Sequence, residues 1–137
     1  MSEGTLKWFA AAGGGIASFL WGGWSIAIQT LFVFVAIDYL TGFLASATEG
    51  KLSSKAGMKG IAKKAYIFVI VALCHMADQT IGDGTHLFRD GAITFYLINE
   101  SLSIIENTGR LGVPVPDQLR QAIEILKGKT QNKKEEK

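Results

Sequence analysis

The chain has 137 residues, of which 48% are hydrophobic, and a formal net charge of +2. This length suits one domain, and so small a charge excludes the broad basic surface of a nucleic-acid-binding protein. Soluble domains reach the same hydrophobic content, so the order of the residues must decide the class of protein. The single cysteine, Cys74, excludes an internal disulfide and is expected to be inert packing.

The first candidate element is residues 8–24, a glycine-rich segment with a tryptophan at each end. Tryptophan is enriched at both surfaces of a membrane, which favours a membrane span. At the rise of an α-helix the segment measures only about 24 Å, so the span would be thin, tilted or marginal. A cleaved signal peptide is not predicted, because no continuous apolar core precedes the small residues Ala10–Ala12.

Three further segments have the length of a membrane span. Residues 26–47 and 61–81 each reach the roughly 20 mostly apolar residues that cross a bilayer. The second of these begins near Lys63 and Lys64, whose side chains are expected to extend to the membrane surface. Residues 88–109 form a weaker candidate, which ends before a glycine and proline cluster typical of a helix end.

Two segments follow the predicted spans. Residues 113–127 are predicted to form a short cytosolic amphipathic helix, which we expect to pack on its own protein or a neighbour. Residues 128–137 are charged, lack apolar side chains and are expected to be disordered. The predicted fold class is an all-α integral membrane protein in which residues 1–112 form three to four transmembrane helices.

The basic residues predict the orientation in the membrane, since they collect on the cytoplasmic side. Four spans would place 13 of the 14 basic residues on that side, with both termini cytoplasmic. Three spans would leave the amino terminus outside. We favour four, because the paired tryptophans suit a short helical hairpin. The residues expected to set topology and contact anionic lipid are Lys51, Lys55, Lys59, Lys63 and Lys64.

Two acids lie deep within the predicted spans. Asp38 and Glu100 each occur near the middle of a segment, where an acid costs about 3 kcal/mol on insertion scales. Such residues usually face a bundle interior or a water-filled cavity. No lysine or arginine is expected at the same depth, so both acids should be protonated, hydrated or hydrogen-bonded between helices. Joining helices and lining a pore are compatible roles, and both stay open.

Polar residues recur at three- and four-residue spacing along residues 88–109, which makes a polar stripe opposite an apolar face. Such a stripe must face other helices, or water in an assembly of several copies. In residues 26–47, small residues follow Asp38 at four-residue spacing and would let helices approach closely. The residues predicted to line a pore or join helices are Asp38, Gly42, Ser46, Asn99, Glu100, Ser103, Glu106 and Asn107.

Signatures of catalysis are absent: the chain has no phosphate-binding loop, zinc-protease motif or serine-hydrolase motif. The two histidines and the cysteine do not make a metal site. His75 and Asp78, three residues apart, are expected to form a structural hydrogen-bonded pair. No catalytic residue, cofactor or metal is therefore predicted.

Four blocks carry a resemblance to a known family. They are DYLTG (residues 38–42), SSKAGMKGIAKK (53–64), FYLINESLSIIEN (95–107) and GVPVP (112–116). In order and spacing, they resemble the phage holin family, which includes holins of Gram-positive phages and related clostridial toxin-secretion proteins. The resemblance covers roughly residues 30–127, and the first thirty residues match no family motif.

The resemblance implies a lysis protein without enzymatic activity or cofactor, which accumulates in the host bacterial cytoplasmic membrane. The apolar segments and basic residues described above predict a multi-pass protein with a cytoplasmic C-terminus. Holins form homo-oligomeric lesions that collapse the proton gradient and release or activate an endolysin, with host cell lysis as the result. The related proteins secrete a toxin instead. An antiholin is a further possible partner, and no nucleic acid is expected.

Two other classes of function fit the same residues. An accessory or scaffold subunit could bind a larger membrane complex through the polar stripe and the cytosolic helix, without forming a pore. A small ion transporter could use Asp38 and Glu100 as proton carriers, with saturable flux coupled to a substrate.

Overall fold

The computed structural model describes the backbone of residues 1–135 and the side chains of residues 1–126. This part of the chain is all α, which confirms the all-α part of the predicted fold class. Its helices are α1 (Glu3–Trp21), α2 (Ile26–Thr48), α3 (Ser54–Ile81), α4 (Leu87–Arg110) and α5 (Asp117–Glu135).

The helices begin and end at residues that suit those positions. The hydroxyl of Ser25 accepts a hydrogen bond from the backbone N–H of Ile28, and Ser53 caps α3 in the same way through Ala56. Because Ser53 supplies this cap, α3 begins seven residues before the apolar segment that was predicted as a span. Gly22 ends α1 with φ +74°, a left-handed conformation that favours glycine.

The centre of the fold is a bundle of α2, α3 and α4, in which α4 packs against both neighbours. Its apolar core occupies one half of the bundle. Aromatic rings extend the core toward α1, where Trp21 packs edge-on against Phe32 and Phe68. The buried core residues are Ile28, Leu31, Val35, Ile67, Val71 and Ile93.

The two ends of the bundle differ in chemistry. One end holds the turn between α2 and α3, the lysine-bearing first turns of α3 and the last turn of α4, and we call it the lysine end. The other end holds the connections from α1 to α2 and from α3 to α4, and we call it the histidine end because it carries His75 and His86. The apolar core lies nearer the histidine end, so the inner part of the lysine half must be filled by other side chains.

Two of the described helices, α2 and α3, are long and apolar enough to cross a membrane, with mean hydropathies of 1.7 and 1.5. Their outward sides carry exposed large apolar residues such as Val33, Leu40 and Leu73. An apolar surface of this extent suits contact with lipid. Helices α1 and α4 do not meet the same measure, so composition alone does not count them as spans.

Helix α1 lies largely apart from the bundle. Residues 1–16 are all exposed, and Ala17 is buried. Only the end of α1 is anchored, since the Trp21 indole N–H donates to the backbone oxygen of Phe68 at 3.1 Å. The two tryptophans of residues 8–24 therefore differ: Trp8 is exposed at the free end of α1, whereas Trp24 packs against Phe32 beyond the helix.

Helix α5 starts at Asp117, four residues after the predicted start at residue 113, and it is longer than expected. It continues to Glu135, so residues 128–135 are helical in the structure, where the sequence led us to expect disorder; residues 136 and 137 lie outside the described part. Lysine, glutamine and glutamate are good helix formers, and no proline interrupts them. Most of its predicted packing face is exposed, with Leu119 46% and Leu126 40% accessible.

Candidate functional site

Three charged side chains from three helices meet inside the lysine half of the bundle. Lys64 of α3 donates to the carboxylate of Glu100 of α4 at 2.7 Å and also to the carboxylate of Asp38 of α2. Asp38 and Glu100 are only 4% and 5% exposed. We call these residues the ion triad. It ties together all three helices of the bundle.

The ion triad corrects one sequence-based expectation. We expected no basic residue at the depth of the two acids, and that prediction is wrong for Lys64. The error arose from the predicted start of the third span. Because α3 begins at Ser54, Lys64 lies about 15 Å inside the helix and not at its membrane-surface end.

An amide extends the ion triad toward the lysine end. The side-chain nitrogen of Asn107 donates to the backbone oxygen of Asp38 at 3.1 Å, to its carboxylate at 2.9 Å and to the Thr41 hydroxyl at 3.1 Å. Gly42 lies opposite, and a Cβ there would come within 3.3 Å of that same nitrogen. Small size at Gly42 therefore allows α2 and α4 to approach closely.

The charges of the ion triad do not balance in number. Two carboxylates share one ammonium, so one negative charge is uncompensated unless a carboxyl carries a proton. Burial of charge costs several kcal/mol per ion, and pairing offsets this cost only while every partner is in place. The arrangement therefore needs all three members, because removal of one leaves a buried charge without its partner.

The other residues predicted to line a pore or join helices lie at different distances from the ion triad. Ser46 and Ser103 line the same cavity as Asp38 and Gly42. Asn99 is half-buried on α4, and Glu106 is exposed. The structure thus brings most of the predicted set together inside one copy of the chain, and not on its outer surface.

The five lysines predicted to set topology differ in exposure. Lys51, Lys55, Lys59 and Lys63 are exposed, as expected for residues that set topology, whereas Lys64 points inward. Helical spacing could have revealed this difference. Lys64, Ile67, Val71, His75 and Asp78 follow one another at three- and four-residue intervals on the face of α3 that packs inward.

A second ion pair closes the lysine end. The guanidinium of Arg110 binds both carboxylate oxygens of Glu49, at 2.8 and 3.0 Å, and so ties the end of α4 to the end of α2. Arg110 also donates to the Asn107 side-chain oxygen at 3.3 Å. The hydrogen bond from Arg110 is the main reason that the pKa of Glu49 lies below its ordinary value.

The histidine end is held by Asp78 and Arg89. The Asp78 carboxylate accepts the backbone N–H groups of Phe88 and Arg89 at 3.0 and 2.9 Å, so a side chain of α3 caps the start of α4. Arg89 in turn donates to the backbone oxygen of Trp21 at 3.0 Å. The expected pair of His75 with Asp78 is replaced by this cap, and His75 instead lies parallel to His86, with ring centres 6.2 Å apart.

The role of Arg89 was missed by sequence analysis. Arg89 is 8% exposed, and its guanidinium occupies the space beside Gly22. A Cβ at Gly22 would lie 2.7 Å from that guanidinium. The glycine at the end of α1 was therefore the sequence feature that could have indicated a close neighbour there. Among the described residues, no cluster of histidine, cysteine and acidic side chains could hold a metal ion.

Comparison with known proteins finds one matching family. The sequence profile of the bacteriophage holin family matches residues 15–128. The match covers α2, α3 and α4 entirely and begins within α1, so it includes the ion triad and the contacts at both ends of the bundle. No solved structure matches the chain.

Relatives of similar length occur in several bacteria. An uncharacterized protein of Halalkalibacterium halodurans is 47% identical over 130 residues, which are 92% of this chain and 96% of the relative. An uncharacterized protein of Listeria monocytogenes is 43% identical over 93% of this chain and 91% of its own length. An uncharacterized 14.9 kDa protein of Clostridium perfringens is 39% identical over 90% of this chain and 94% of its own length. With the family profile matched over most of its residues, the chain belongs to the bacteriophage holin family.

Proposed function

We propose that this chain is a holin that permeabilises the bacterial cytoplasmic membrane by self-association and so releases or activates a cell-wall-degrading endolysin. The observation that carries the proposal is the ion triad, a charged cluster inside helices of membrane-spanning length. Charged residues at such depth are rare in membrane proteins and usually mark a water-filled path or a functional contact. The proposed function involves no catalysis.

The proposed orientation places α2, α3 and α4 across the membrane with the lysine end in the cytoplasm. Helix α4 is too polar to pass as a span by composition, but α2 and α3 cover its polar side, and its 24 residues measure about 36 Å. The exposed lysines and α5 then lie on the cytoplasmic side, in keeping with the distribution of basic residues. Helix α1 lies outside this three-helix unit.

In the proposed mechanism, the described structure is the sealed form that accumulates without harm. Polar groups that could line water are paired within each copy, so lipid meets the apolar outer surface. A lesion forms when copies at high density exchange these internal contacts for contacts with neighbouring copies and water. The two forms need differ by only a few kcal/mol for membrane density to control which one is populated.

Expression in bacteria with a membrane-potential dye tests the proposal. Growth should stop and the potential should collapse once the protein has accumulated, and the leak should admit molecules larger than ions. A normal potential at a high and verified amount of membrane-inserted protein would contradict a holin function. Labelling of an amino-terminal tag in intact cells tests the orientation: three spans predict labelling from outside, and four spans predict protection.

A second candidate function is an accessory subunit of a larger membrane complex. The exposed apolar side chains of α5, at Leu119, Ile125 and Leu126, favour this alternative because they offer a binding face on the cytoplasmic side. It predicts a stable partner on purification and no leak from the chain alone. The dye experiment therefore separates the two functions.

A further inference from the structure

A cavity of about 740 Å³ opens at the lysine end of the bundle. It lies between the second half of α2, the first turns of α3 and the last turns of α4, and its lining reaches inward to the ion triad at Asp38 and Lys64. Its volume is within the range of protein sites for small molecules. The cavity is thus large enough for a ligand, and it lies where the proposed orientation puts the cytoplasmic membrane surface.

The lining combines two kinds of chemistry. Phe43, Met58 and Ile61 form an apolar part, and each stays between 48% and 67% exposed, so the described chain leaves about half or more of each side chain uncovered. Lys51 and the hydroxyls of the turn before α3 form a polar part at the mouth. A ligand that satisfies both parts must itself carry an apolar chain and a polar head.

The charge around the mouth selects the sign of that head. Residues 49–64 contain five lysines and one acid, Glu49. Arg110 already binds both oxygens of Glu49. The Lys51 ammonium lies 3.7 Å from the same carboxylate, which is longer than a hydrogen bond, and its side chain is 75% exposed. The first turn of α3 adds the positive end of a helix beside the cavity. The mouth is therefore suited to an anion.

We propose that this cavity binds one anionic phospholipid of the cytoplasmic leaflet. Its phosphate contacts Lys51 and the start of α3, and one acyl chain lies along Phe43, Met58 and Ile61. Basic pockets between transmembrane helices on this side of a membrane bind lipid head groups. Such a lipid would bridge α2 and α3 next to the ion triad and so favour the sealed form. The inference rests on the proposed function only for the side of the membrane on which the lysine end lies.

The test measures lipid that the full-length protein retains in detergent, by native mass spectrometry, with phosphatidylglycerol and phosphatidylcholine as probes. Phosphatidylglycerol should be retained at one copy per chain and phosphatidylcholine should not. Lys51→Gln should weaken retention about tenfold, because one charge-assisted contact to the phosphate is lost. Lys55→Gln removes the same charge from an exposed residue outside the cavity lining and should change retention less than twofold.

Two further arms identify the source of the anion. Met58→Gln makes the apolar part polar and should also weaken phosphatidylglycerol retention, whereas inorganic phosphate should not displace the lipid. Equal effects of Lys51→Gln and Lys55→Gln would overturn the proposal in favour of diffuse surface attraction. Displacement by inorganic phosphate, with Met58→Gln unchanged, would overturn it in favour of a free-anion site.

Lipid retention and membrane leak, measured together, separate this inference from the proposed function. Membrane leak with no lipid retention by the wild-type protein would overturn the lipid site and leave the holin function intact. Specific retention without any leak would support the lipid site and contradict the holin function. Since Lys51 is exposed, its substitution should leave the fold unchanged, which circular dichroism of each variant checks.

Discussion

Lys64→Met is the sharpest test of the role of the ion triad. Methionine keeps most of the length of the lysine side chain but removes the ammonium that Asp38 and Glu100 share. Removal of one partner from a buried ion pair costs about 3–5 kcal/mol, because the remaining charge stays buried without compensation. The Lys64 side chain is 22% exposed, so we expect the lower end of that range, about 3 kcal/mol.

A loss of this size should shift the balance between sealed and open forms roughly a hundredfold toward opening. Cells that express Lys64→Met should therefore lose membrane potential earlier, at a lower amount of membrane-inserted protein than wild type. The purified variant should also unfold at a lower temperature in detergent. The measurements are dye fluorescence against quantified membrane protein, and thermal unfolding followed by circular dichroism.

Lys63→Met is the matched control, because Lys63 is the exposed neighbour and loses the same charge. The double variant Lys64→Met with Glu100→Gln removes one of the two uncompensated carboxylates and should recover part of the stability. If Lys64→Met and Lys63→Met were indistinguishable in both unfolding and the onset of leak, the ion triad could not be what seals the protein.

Three further predictions concern the two ends of the bundle. Gly22→Ala should destabilise the protein by about 1–2 kcal/mol or more in thermal unfolding, because φ is positive there and the new Cβ would meet Arg89; Gly91→Ala, in open helical space, should not destabilise it. Asp78→Ala should cost about 1–2 kcal/mol through loss of the cap on α4, and unchanged unfolding would contradict that role. Because the pKa of Glu49 is lowered in the folded state, its contribution to stability is present above the ordinary pKa of 4.5 and is lost as the pH falls below it. Wild type should therefore lose more stability on acidification than Glu49→Gln, and equal acid profiles would count against the pair.

The sealed bundle changes how the polar residues of α4 are understood. Sequence periodicity left Asn107 and Glu100 to face either other helices or water in an assembly of several copies, and the structure pairs both with other helices of the same chain. In the proposed holin function, self-association must then compete with good internal contacts, and not merely relieve unsatisfied groups. A threshold in membrane density follows naturally from that competition, because internal contacts do not depend on concentration whereas contacts between copies do.

Much of the fold was predictable because it depends on local properties. The apolar segments of α2 and α3, the serine at each of their starts and the proline before α5 all appear in a short window of sequence. Periodicity also placed Asp38, Gly42 and Ser46 on one side of α2, and the structure puts all three along one cavity. The length of α5 was underestimated, since a charged segment without apolar residues can still be a good helix.

The sequence by itself determined that two acids must be buried in helices of membrane length, that small residues must lie beside one of them and that the basic residues gather at one end. Only the tertiary structure decided which side chain forms ion pairs with the two acids. Lys64 is 26 residues from Asp38 and 36 from Glu100, so their meeting depends on how α2, α3 and α4 align along their axes. A shift of a single helical turn, about 5.4 Å, would move that ammonium away from both carboxylates, and no local pattern encodes such an alignment.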